Sequence, residues 1–365
     1  MIEPLEKHSV FIMDKGGKQR IQEITDLTQV VWERTRDDIS TAQVNVSANK
    51  DSAQADFLRS LVGATGRYEM CIWREGVREW EGPLLLPTFT KNGVTLAARD
   101  VMHYSERLIM KNAYSNAYPA VEYVSTRAAN IMTAEFARLE ALSPAVNVLP
   151  WMVNHHFSTD AMTSRSTLPF QYYVYEHIDD MAANAGMDYT VLGRAVHFWD
   201  TSQPVMGYTR TVTESDFFGE MYVSAYGMEL GTYAAVTDGQ GNYGETGGID
   251  PYYGLVERLA TAYDENATAL PSLAELTSQA VRNLAGRNPT PLQVRVPDGS
   301  SVNMSGVLTM ADLVPGIYVP MLAHFGIVKV SQMQKLNNVK VTETAQGEKV
   351  EVKFYPASDS DTVVS

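Results

Sequence analysis

The chain has 365 residues, 45% hydrophobic and 10% aromatic, which gives ample core material and room for two or three domains. Its formal charge of −14 argues against a protein that grips nucleic acid through phosphates. A single cysteine, Cys71, excludes an internal disulfide and a cysteine-rich zinc site, and fits folding in a reducing cytoplasm.

Taken in order, Ser9–Met13 and Arg20–Val31 read as strands joined at Gly16–Gly17. Ile39–Val46 alternates apolar and polar residues, the mark of a half-buried strand. Asp51 with Gln54 has capping-box spacing for a short helix. Three antiparallel strands follow: Tyr68–Arg74, Val77–Leu86 and Val94–Ala98, with turns at Glu75–Gly76 and Lys91–Asn92–Gly93. They carry Trp73 and Trp80, and Asp100 is positioned as the N-cap of a helical turn.

A helix is expected over 119–142, opened by Pro119. Residues 143–170 read as irregular. A second helix is expected over 172–185, closed by Gly186, then a hairpin of Asp188–Val191 and Ala195–Trp199. Thr209–Val212, Met221–Ala225 and Tyr233–Thr237 are strand candidates. Asp238–Asp250 (DGQGNYGETGGID) reads as a glycine-rich loop and Tyr252–Tyr263 as a helix. Ser272 with Glu275 forms a capping box for a helix over 272–285, closed by Gly286. Leu292–Val296, Gly316–Leu322, His324–Val330, Val339–Thr344 and Lys349–Tyr355 read as strands, and residues 357–365 as a flexible tail. The whole is a β-rich α+β protein. It divides into a β block over 1–110, a mixed region over 111–290 and a β segment over 291–356.

Acidity is concentrated. Residues 171–290 hold 16 Asp and Glu against 5 Arg and no Lys, a balance of −11. A solvated acidic surface explains this through solubility, and the sharper alternative is an acidic lining that repels DNA. The opening Met1-Ile2-Glu3-Pro4 has no apolar run, so no secretory signal is expected. No stretch reaches the roughly 20 apolar residues of a membrane helix.

Features that suggest chemistry have plainer explanations. Gly239-x-Gly241-x-x-Gly244 matches a dinucleotide fingerprint by letter, but Gly247, Gly248 and Pro251 make a poor helix start after it. His155 and His156 are adjacent and point different ways on any regular element, so joint chelation is awkward. Asp179–Asp180 fits the polar side of a helix, and Cys71 lies in an apolar strand. No nucleophile elbow, P-loop or His-Glu-x-x-His is present. No catalytic residue, cofactor or metal is expected.

Several segments resemble a known family. VVWERTRDDISTAQVNVS (Val30–Ser47), YEMCIWREGVREWEGPL (Tyr68–Leu84) and ARDVMHYSERL (Ala98–Leu108) are similar to the N-terminal part of minor tail proteins of long-tailed phages that infect actinobacteria. AANAGMDYTVLGRAVHF (Ala182–Phe198), LVPGIYVPM (Leu313–Met321) and LNNVKVTETAQGEKVEVKFYP (Leu336–Pro356) continue the resemblance in the family's order.

The resemblance implies a tail-tip, or baseplate, hub. Such a hub is a homotrimer at the distal end of the virion tail, synthesised in the host cytoplasm. Two β-barrel-like domains per subunit form a pseudo-sixfold ring. One ring face meets the sixfold tail tube or distal tail protein, and the other meets central fibres or a spike. The lumen holds the tape measure end and passes DNA, with no specific nucleic-acid binding and no membrane span. A hub also suggests a subunit or partner contact for the glycine-rich loop, through Asp238, Gly239, Gly241, Tyr243, Gly244, Glu245, Gly247, Gly248 and Asp250. The alternatives are a tail-associated cell-wall hydrolase or glycan-binding module, and a hexameric distal tail protein.

Overall fold

The structure, a computed structural model, describes residues 5–47, 53–114, 122–142, 148–155, 162–163, 167–200, 210–225, 227–262, 271–284, 287, 292–295, 300–306, 308–356 and 363–364. Asp51, Pro119, His156 and Gly286 lie outside these residues.

Both ends of the chain build one large sheet. Its N-terminal strands are β1 (His8–Asp14), β2 (Arg20–Ile24), β3 (Leu27–Thr35), β4 (Thr41–Ser47), β5 (Tyr68–Arg74), β6 (Val77–Phe89) and β7 (Gly93–Arg99). The stretch read as one strand over Arg20–Val31 is two strands, broken where Asp26 takes φ 53°. The β5–β6 turn places Glu75 and Gly76 at φ 48° and 82°, the left-handed pair that suits a two-residue hairpin. Helix α1 (Ala53–Ser60) turns Gln54 inward, where its carbonyl accepts from the Thr25 amide at 2.6 Å. After β7, Asp100 caps a 3-10 helix over Val101–Arg107 by accepting from the Met102 amide at 2.9 Å.

The middle of the chain forms a second layer. The short strand β8 (Glu122–Tyr123) leads into α2 (Val124–Leu142), so the expected 119–142 helix starts at Val124 among the described residues. The region read as irregular contains β9 (Trp151–His155) and β10 (Met162–Thr163). Helix α3 (Val174–Ala185) ends at Gly186 in the left-handed conformation, as its sequence dictates. The hairpin β11 (Met187–Leu192) and β12 (Ala195–Asp200) follows, and β9 joins it parallel to β12. Ile131, Met132 and Phe136 of α2, Ile178 and Met181 of α3, and Tyr189 and Phe198 of the hairpin share one core.

A smaller unit comes next. The short strands β13 (Phe217–Phe218) and β14 (Tyr222–Ala225) precede β15 (Tyr233–Thr237), β16 (Tyr243–Gly247) and β17 (Glu257–Thr261). The loop read over Asp238–Asp250 therefore contains a strand. The helix read over Tyr252–Tyr263 is a turn followed by β17, which pairs parallel with β15. Helix α4 (Leu273–Leu284) closes over this sheet, with Val236, Leu276 and Ala280 at the centre. Its capping box forms as expected: Ser272 Oγ accepts from the Glu275 amide at 3.3 Å, and Glu275 Oε2 accepts from the Ser272 amide at 2.6 Å.

The chain then returns through β18 (Leu292–Arg295) and β19 (Ser301–Val302) to β20 (Tyr318–Phe325), β21 (Val328–Thr344), β22 (Gly347–Pro356) and β23 (Val363–Val364). The two strands read over Gly316–Leu322 and His324–Val330 are shifted. The turn falls at Gly326, φ 60°, and Ile327, and the segment read over Val339–Thr344 is the far half of the 17-residue β21. Of the strand read over Thr209–Val212, Val212 makes one bridge to Met321, and 201–209 lie outside the described residues. In the tail, Val363–Val364 pairs with β21.

The order in the main sheet is β2-β1-β5-β6-β7-β4-β3-β21-β20, with β22 and β23 also on β21. The path does not close on itself, so two closed barrels are not seen among the described residues. Its core runs from Val10, Trp32 and Trp80 to Val339 and Val352, drawing on both ends of the chain.

Candidate functional surface

Buried ion pairs tie the layers together. Arg194, in the β11–β12 turn, donates through Nη1 to Glu69 at 2.5 Å and to Glu81 at 2.9 Å. Glu69 also accepts from the Tyr104 hydroxyl at 2.6 Å and the Gly16 amide at 2.8 Å, and Arg78 pairs with Glu81. Burial raises the Glu81 carboxyl to about 7, opposed by Arg194 and Arg78. Nearby, Arg34 pairs with Glu79, and Lys335 of β21 with Asp188 of β11. Gly316, at φ 100°, leaves room for Trp199: a Cβ there would stand 1.9 Å from the indole. The Arg194 and Lys335 pairs and the Gly316–Trp199 contact hold the middle layer against the sheet, whereas Arg34–Glu79 braces β3 and β6 within it, and these buried carboxylates are committed to partners within the chain.

The glycine-rich run is an ordered hairpin. Asp238 is buried and its Oδ1 accepts from the Gln240 and Asn242 amides at 2.7 and 3.0 Å, closing the β15–β16 turn. Gly239 and Gly241 sit in that turn at φ 70° and 108°. Gly244 backs onto α4, where a Cβ would lie 2.1 Å from the Thr277 nitrogen. Tyr243 and Glu245 point to solvent. Gly247, φ 87°, and Gly248 lead out of β16 to Asp250, whose Oδ1 accepts from the Tyr252 and Tyr253 amides. The run joins two antiparallel strands, so the strand-to-helix setting a dinucleotide needs is not there.

The other singled-out residues scatter. His155 on β9 stacks on His197 of β12, with Nε2 and Nδ1 2.9 Å apart. Burial, with the neighbouring His155 and Arg34, lowers His197 to about 4. Asp179 is half-buried, and burial and then Asp38 raise its carboxyl. Cys71 is buried in β5, which lifts its thiol to about 11. Trp80 is buried, whereas Trp73 is half-buried and packs its edge on Phe11. No group of three metal-binding side chains occurs among the described residues, and no described helix is long and apolar enough to cross a membrane.

Exposed apolar side chains gather in the small unit. Tyr243, Ile249, Tyr252, Leu255 and Leu259 all stand in solvent on or beside its sheet. Sequence reasoning missed this surface because it read β17 as a helix and β16 as a loop. The signal that could have found it is the alternation of ERLAT against the turn residues Asp250–Gly254.

No protein-family model and no curated protein sequence matches the chain. Solved structures do. The prophage MuSo2 43 kDa tail protein from Shewanella oneidensis superposes with a TM-score of 0.59 at 9% identity, over 97% of this chain and 99% of that one. The tail protein from Neisseria meningitidis MC58 gives 0.59 at 14% identity over 96% of each chain. The E. coli c3393 protein, a type VI secretion component similar in structure to T4 bacteriophage tail proteins gp27 and gp5, gives 0.50 at 8% identity, over 97% of this chain and 79% of that one. The chain therefore has the fold of phage tail proteins, a strand-rich α+β fold.

Proposed function

We propose that this chain is a structural component of a phage tail tip: a homotrimeric hub with no catalytic role. The observation that carries this reading is end-to-end likeness to tail proteins, 97% of this chain against 99% of the Shewanella prophage protein. Segments 1–110 and 291–356 form the ring-building part, two barrel-like units per subunit that repeat to a pseudo-sixfold ring. Support comes from β3–β21 pairing, which places both segments in one sheet. Residues 111–290 form the outer part.

In this reading the ring joins the tail tube or distal tail protein to central fibres or a spike. It encloses the tape measure end and the DNA exit channel at the distal end of the virion. The buried ion pairs suit a part that transmits force without hinging. The hairpin from Asp238 to Asp250 lies at a subunit or partner contact. Native mass measurement and imaging of purified tails test this. Three copies in a ring at the tip are expected; six would indicate a distal tail protein, and absence from tails would overturn the assignment.

A further inference from the structure

The β16-β15-β17 sheet covers α4 with one face and leaves the other in solvent. Strand alternation fixes which residues stand on the open face. Val236 and Ala260 pack toward Leu276 and Ala280, and Gly244 backs onto the helix. Their neighbours along each strand therefore point away from α4. Register sets these in three rows: Gly247–Tyr233–Glu257, Glu245–Ala235–Leu259 and Tyr243–Thr237–Thr261.

The nine positions hold two carboxylates, two tyrosines and a leucine, with no lysine or arginine. Leu259 is 77% and Tyr243 57% exposed, and Glu245 and Glu257 also face water. Ala235 makes a low floor beside the tyrosines, while Gly247, at φ 87°, turns toward Leu284 of α4 at the edge of the face. The Tyr233 hydroxyl donates to Glu245 Oε2 at 2.5 Å, which fixes that carboxylate over the floor. Tyrosine faces attract guanidinium groups, and a carboxylate takes one through two parallel hydrogen bonds.

We propose that this face docks a basic segment of a partner protein, its arginines between Glu245 and Glu257 and its apolar residues on Leu259 and Tyr243. That the partner is another tail component rests on the reading above; the chemistry of the face does not. Charge complementarity selects this occupant. A second copy offering the same face would set carboxylates against carboxylates, and a nucleic acid would be repelled.

The probe is a soluble peptide alternating arginine and leucine, with a glutamate–leucine counterpart, titrated into the full chain. Hydrogen exchange is expected to slow over 243–247 and 257–261 with the arginine peptide alone. Combined Glu245→Lys and Glu257→Lys should weaken binding by about tenfold or more with an unchanged melting temperature, and Leu259→Asp should weaken it too. Protection elsewhere, equal binding of both peptides, or indifference to these substitutions would overturn the proposal. So would self-association that Leu259→Asp abolishes. Binding is read on the isolated chain, so its failure leaves the tail assignment standing. Absence of the chain from purified tails removes that assignment and leaves the binding result intact.

Discussion

Arg194 Nη1 donates to Glu69 Oε2 at 2.5 Å across 125 positions of sequence, with both side chains buried. The pair joins the β11–β12 turn to the main sheet. Removing one partner of a buried ion pair strands the other. Arg194→Met should therefore lower stability by about 3–5 kcal/mol, read as a drop in urea midpoint at constant slope. A loss below about 1 kcal/mol would place the pair in the class of solvent-screened contacts.

Stability should depend on pH through two buried acids. Burial, opposed by Arg194 and Arg78, raises Glu81 to about 7. Burial raises Asp100 to about 7 as well, against hydrogen bonds from Ser40 and the Met102 amide. In the unfolded chain both lose their protons near about 4. The native state thus holds more protons between about 4 and 7, so stability falls as pH rises through that window. Glu81→Gln should flatten the slope, measured by denaturant titration at a series of pH values. A slope that stays the same in the variant would remove Glu81 from the account.

Gly316 and Trp199 make a second joint between the layers. Alanine at Gly316 meets both a left-handed φ of 100° and the indole. Overpacking alone costs about 1–3 kcal/mol. A fall of several degrees in melting temperature is expected for Gly316→Ala. Gly326→Ala, whose Cβ meets nothing within 4 Å, should fall less, since backbone strain acts alone there. Equal falls would mean that the indole moves aside freely.

The two tryptophans of the β5–β6 hairpin should separate. Trp80 is 2% exposed, and truncation to alanine should cost about 3–5 kcal/mol. Half-buried Trp73 should cost about 1–2 kcal/mol. Calorimetry on the two variants reads the difference directly, and matching losses would contradict the burial pattern.

Legibility in the sequence followed locality. The β5-β6-β7 meander declared itself through alternation and turns at Glu75–Gly76 and Asn92–Gly93. Helices α3 and α4 declared themselves through Gly186 and the Ser272–Glu275 box. Parallel partners did not. Strands β9 and β17 pair with distant neighbours, and no turn residue announces such pairing. The segment read as a helix over Tyr252–Tyr263 instead contains β17, because backbone pairing with β15 decides the conformation there. The singled-out glycine run proved to be one edge of the open sheet face rather than a separate loop. The other edge, Glu257 and Leu259, could not be associated with it before the fold was known.

Arg36 donates to Asn337 from 301 positions away, where β3 lies along β21. During translation, β3 leaves the ribosome long before its partner is made. At roughly 5–20 residues per second the interval is about 15–60 s. For that time the N-terminal sheet shows a bare edge bearing Val30 and Trp32, a template for pairing with other nascent chains. Production of this protein should therefore depend on chaperone supply and on slow, cool expression. Fragments ending before β21 should precipitate even when every residue they contain is native.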